Sequence, residues 1–183
     1  AVGRLVAYWQ FNEGTGGSSF DGLNNYEAES YNSDEASWTS SDVPIGDGTV
    51  EETSDFQSGT ANIGNASLTM ADGFDNPVDV QVTEVEGNPN QFPSGFTSGL
   101  GGKYFVINLF GDPGTFSANL TLTYGSGVIT ATQQSNPNLV KLYKRGSNST
   151  GAWSEIASAT SAVEATGVVT WTGITSFSQF MAV

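Results

Sequence analysis

Neither cysteine nor histidine occurs anywhere in the 183 residues. Disulfides are therefore excluded, and so are Ser–His or Cys–His catalytic machinery and the common zinc, haem and iron–sulfur sites. Stability has to come from core packing, bound cations or neighbouring copies. Basic residues are scarce too: five Lys and Arg stand against 19 Asp and Glu, a net charge of −14. Such a balance argues against nucleic acid and against an anionic membrane as partner. No apolar run reaches the length of a membrane helix, so no direct membrane insertion is expected. No stretch reads as a signal peptide either, and Ala1 is expected to be a processed or trimmed terminus.

What the chain has in quantity is glycine, at 23 residues, with abundant Ser, Thr and Asn, a composition for turns and strands and a poor one for long helices. Only 37% of residues are hydrophobic but 11% are aromatic, so a few large rings must carry the core. Lys103–Phe110 is β-branched or aromatic nearly throughout, with apolar residues on both faces, which predicts a central strand covered on two sides. Gly111-Asp112-Pro113-Gly114 is turn chemistry, and it predicts a tight turn into the next strand. There Phe116, Ala118, Leu120, Leu122 and Tyr124 alternate with Ser117, Asn119, Thr121 and Thr123, giving one dry and one wet face.

Further strands are expected at 61–70, 78–85, 128–131, 139–144, 153–157, 168–171 and 177–183, with turn residues between them. Short strands at such spacing predict an all-β fold, an antiparallel β-sandwich of jelly-roll or immunoglobulin-like type spanning residues 59–183. Ahead of it, residues 1–58 are expected to be an N-terminal strand, Leu5–Phe11, and an irregular acidic arm with a little strand around Trp38. Charge divides in the same sense. Residues 1–86 carry −15 and residues 87–183 carry +1.

Two segments resemble known families. "LVAYWQFNEGTG", with Asp21 and the Asn24-Asn25 pair, looks like the opening strand of laminin-G-like, concanavalin-type jelly rolls of secreted bacterial proteins. The closing "LVKLYKRGSNSTGAWSEIASAT…GVVTWTGITSFSQFMAV" resembles the final half of β-sandwich modules in surface and secreted cargo of the type IX secretion system. Both resemblances imply a secreted, extracellular or cell-surface location, and neither carries catalytic residues.

For catalysis, paired-carboxylate chemistry remains open. Glu51 and Glu52 are adjacent and on a strand would face opposite ways, while Glu84 and Glu86 read as an acidic strand end in water. No enzyme is expected. Hard cations need several oxygens on one loop, which Asp72, Asp75, Asn76 and Asp79 provide, so a calcium site is a candidate there. The plainer reading of the same residues is a turn. Tyr104, Trp153 and Trp171 are the large rings that could stack on a sugar, making a carbohydrate-binding module of a polysaccharide-degrading protein the runner-up. Core placement competes for each of them.

The last candidate is the opening strand. Leu5, Ala7, Trp9 and Phe11 form an apolar row about fifty irregular residues ahead of the regular strands. Such a strand can fold back or add to a neighbour's open sheet edge. An acidic first half meeting a near-neutral second half suits head-to-tail contact, which propagates as a filament. The expected role is a non-enzymatic surface or fibre module for adhesion or self-assembly. Its expected partners are further copies of itself, or glycans and other host or cell-surface components.

Overall fold

The computed structural model describes residues 18–20, 27–29, 50–89, 91–145 and 151–183. The chain divides into two compact units, residues 1–41 and 42–183. In the first, Ser18–Phe20 (β1) and Glu27–Glu29 (β2) pair antiparallel. The opening strand and the strand around Trp38 lie outside the described residues.

The second unit opens with Val50–Phe56 (β3), followed by Thr60–Ile63 (β4), Ala66–Asp72 (β5), Val78–Glu86 (β6) and Lys103–Phe110 (β7). Then come Ser117–Thr123 (β8), a single helical turn Ala131–Ser135 (α1), and Lys141–Arg145 (β9). Ser154–Ser158 (β10), Ser161–Val163 (β11), Val168–Ile174 (β12) and Gln179–Ala182 (β13) complete it. One sheet has the order β10-β9-β13-β7-β6-β3 and the other β11-β12-β8-β5-β4, with every pairing antiparallel. The fold is an all-β sandwich, as the alternation implies.

The inner faces follow the period of two. Val78, Val80 and Val82 of β6 and Ala118, Leu120 and Leu122 of β8 are all buried. They meet Phe105, Ile107, Leu142 and Phe180 from one sheet and Leu68, Val169 and Trp171 from the other in one continuous core. β7 is covered on its second face as well. Tyr104 and Val106 pack there with Val85 and Met181 beneath Phe92 and Trp153, so the long 87–102 loop helps form a partial third layer.

Several expectations give way. β7 and β8 are not a hairpin: β7 lies in the six-stranded sheet and β8 in the five-stranded one. The Gly111–Phe116 link crosses the sandwich instead. It is pinned where the Asp75 N–H donates to the Pro113 carbonyl at 2.9 Å, and Gly111 and Gly114 supply φ of +127° and +64°. Apolar faces of that size are better satisfied facing each other across a core than lying side by side. The 61–70 stretch is two strands, β4 and β5, reversed at Gly64, whose φ is +58°. Residues 128–130 are a bend leading into α1, whose start is a capping box: Thr130 accepts from the Gln133 N–H, and Gln133 accepts from the Thr130 N–H. The acidic arm expected over 1–58 ends sooner, because β3 is a member of the six-stranded sheet.

Candidate functional site

Among the described residues, recesses open at two places on the sandwich. At one end, a cavity of about 200 Å³ is lined by Glu51, Ile63, Gly64, Asn65, Val82 and Glu84. Glu51 pairs with Val82 across β3 and β6, so both side chains point between the sheets, and Glu84 follows Val82 on the same face. Glu84 is 6% exposed, which corrects its reading as a carboxylate in water. One of its oxygens takes the Lys103 ammonium, and the other accepts from Asn65 Nδ2 at 2.7 Å. Glu84 is thus neutralised and held, a polar plug where the two sheets part.

Tyr124 stands at the same end, edge-on to Phe105 and buried, and among the described residues its hydroxyl has no partner. Burial, and secondarily the Glu84 charge, pushes its pKa far above the ordinary phenol value. Burial raises Tyr104 too, partly offset by the nearby Arg145 charge. Ionisation of these phenols is favoured only once the chain unfolds, so they cost nothing below the unfolded pKa of about 10 and progressively destabilise the fold above it. Absorbance titration at 295 nm is expected to show at least two of the six tyrosines, Tyr104 and Tyr124, ionising only with alkaline unfolding. Six phenols titrating together in folded protein would contradict this.

The second recess is larger, about 420 Å³, and lies where β13 parts from β7. β13 pairs with β7 only through Gln179–Val106 and Phe180–Phe105, extended by one bond from the Ile107 N–H to the Ser178 carbonyl at 2.8 Å. β6 runs along the whole of β7 on its other side. Asn108–Phe110 therefore have a strand neighbour on one side and a wedge on the other. Ile107, Asn108 and Leu109 line it from β7, residues 175–178 from the segment before β13, and Pro113, Gly114 and Phe116 from the crossing link. Phe116 stacks on Phe177 at 5.1 Å, and Lys144 reaches Ser176 Oγ beside it. No lining residue is charged.

The sandwich's outer edges differ from this position. β3 carries Glu51, Glu52 and Asp55, and its register breaks between Thr53 and Phe56 around Asp55, whose φ is +53°. β10 is bulged between Glu155 and Ala157, while β4 has four residues and β11 three. Acidic side chains, bulges and shortness are the usual guards against unwanted strand addition. At the wedge, none of the three protects β7.

The other sequence candidates are placed plainly. Trp171 is fully buried and Tyr104 is 3% exposed, so neither presents a ring face to a sugar. Trp153 is half-buried, with the Arg145 guanidinium 4.3 Å over its ring and its indole N–H donating to the Gln91 carbonyl. Asp72, Asp75, Asn76 and Asp79 are all exposed, and two of their side chains serve backbone neighbours. Asp79 Oδ1 accepts from the Asp55 N–H at 3.0 Å, and Asn76 Nδ2 donates to the Asp112 carbonyl at 3.2 Å. Among the described residues, no three acidic side chains gather in a group able to hold a metal. Leu5, Ala7, Trp9 and Phe11 lie outside the described residues. No local mark in the sequence announces the wedge, because a pairing that stops midway leaves none.

These features define a class, an antiparallel β-sandwich of two sheets with guarded edges and one interrupted interior pairing. Searches of known protein families, curated proteins and solved structures give no match to the chain.

Proposed function

We propose that the protein is a non-enzymatic module of a secreted or cell-surface protein, working in adhesion or self-assembly by accepting an added β-strand. The observation that carries this reading is the contrast between guarded outer edges and the unguarded stretch Asn108–Phe110 inside the six-stranded sheet. Strand addition draws affinity from main-chain hydrogen bonds and specificity from pockets for alternate side chains, and the wedge offers both. The resemblance of the two chain ends to secreted bacterial modules supports the location, and the division of charge supports head-to-tail contact.

Electron microscopy and sedimentation of the full chain test the reading, alongside a protein lacking residues 1–11. The full chain is expected to form fibres or concentration-dependent oligomers. The shortened protein is expected to stay monomeric. If it keeps the parent's oligomeric state and stability, the proposal is wrong.

A further inference from the structure

Resting on that reading, we infer that the wedge beside Asn108–Phe110 is the receptor for Leu5–Phe11 of a second copy of this chain. Three observations converge on that occupant. First, the chemistry matches. The wedge combines apolar walls from Ile107, Leu109, Phe116 and Phe177 with a strand edge, and no charged residue lines it. Leu5–Phe11 is likewise uncharged, and its alternate residues Leu5, Ala7, Trp9 and Phe11 form an apolar row. Burying such a row against a charged edge such as β3 would strand carboxylates without partners.

Second, the wedge interrupts an otherwise continuous sheet. Pairing of β7 with β13 ends at Ile107, so an incoming strand lies end to end with β13 and extends a ladder that already exists. That is a lower entropic cost than ordering a new edge, because the β7 backbone is already held by β6 along its full length. Third, the donor belongs to a different compact unit from the acceptor. The chain divides at residues 41 and 42, and residues 12–49 separate Phe11 from β3. Each copy then carries one donor and one receptor in separate units of its chain, so contacts can pass head to tail from copy to copy.

The absence of native cysteine makes the test direct. Two single-cysteine proteins, Tyr8→Cys and Asn108→Cys, both on the face opposite the apolar row, are mixed in equal amounts, oxidised and run on a non-reducing gel. Mixed dimers are expected to exceed same-variant dimers several-fold. Thr175→Trp, an exposed position at the wedge, is expected to block assembly while leaving the thermal midpoint unchanged. Should the doubly substituted chain cross-link only within itself and the mixture give no mixed dimer, the strand folds back and the inference fails. Should deletion of residues 1–11 abolish assembly while Thr175→Trp assembles normally without mixed cross-links, strand lending survives but this receptor is wrong. A full chain that never assembles removes the underlying reading and this inference together.

Discussion

Substituting Lys103→Met alone is expected to lower stability by about 3–5 kcal/mol, with most of that recovered when Glu84→Leu is added. The pair lies between the sheets, with side chains 14% and 8% exposed, so removing the ammonium leaves a carboxylate in a poorly solvated place with Asn65 as its one remaining described partner. A buried charge without its counter-ion costs far more than the intact pair contributes, whereas two apolar replacements of similar volume leave nothing unsatisfied. For a domain of this size the single substitution corresponds to a midpoint lower by about 6–20 °C. Urea denaturation of the two single variants and the double at pH 7 checks each part. A cost below about 1 kcal/mol for Lys103→Met at pH 7 would show that solvent reaches Glu84 freely.

Trp171→Ala is expected to cost about 3–5 kcal/mol, and Trp171→Phe much less. The indole is fully buried on β12, opposite Leu120 of β8, within the core that joins the two sheets. Truncation to alanine removes both its apolar burial and its contacts, leaving a cavity the close-packed surroundings fill only in part. Among the described residues its ring N–H has no hydrogen-bond partner, however. Phenylalanine keeps most of the ring while deleting that buried donor, and the relief offsets part of the lost volume. Chemical denaturation of both variants, with Trp153→Ala as a half-buried comparison, provides the measurement. Equal costs for alanine and phenylalanine at position 171 would mean the indole N–H is satisfied in solution.

These expectations also mark how far the residues could be read without coordinates. The strict alternation of 116–124 and the two-sided apolar character of 103–110 located β8 and β7 and the faces they bury. Both signals are local, since the pleat repeats every two residues whatever the neighbour. Val50–Phe56 was missed for the same reason. Glu51-Glu52-Thr53-Ser54-Asp55 has no apolar alternation, because an edge strand with most of its residues exposed needs none. Thr130 and Gln133 did carry a legible helix start, but Val128-Ile129 beside them looked like strand. Of the candidate sites, the rings were correctly seen to be in competition with the core, and Trp171 and Tyr104 went there. Glu84 was misjudged, since nothing near it in sequence announces Lys103, nineteen residues away.

By itself, then, the sequence determined the period of the strands, the places where turns interrupt them, the residues that must be dry, and the chemistries that missing cysteine and histidine rule out. Each of these follows from side-chain type and near-neighbour spacing. Which strands are neighbours was decided only in three dimensions: the crossing at 111–116, the burial of Glu84 against Lys103, and the early end of the β7–β13 pairing. Those depend on contacts between residues far apart in the chain, where many partners satisfy the same local pattern and only simultaneous packing of both sheets selects among them.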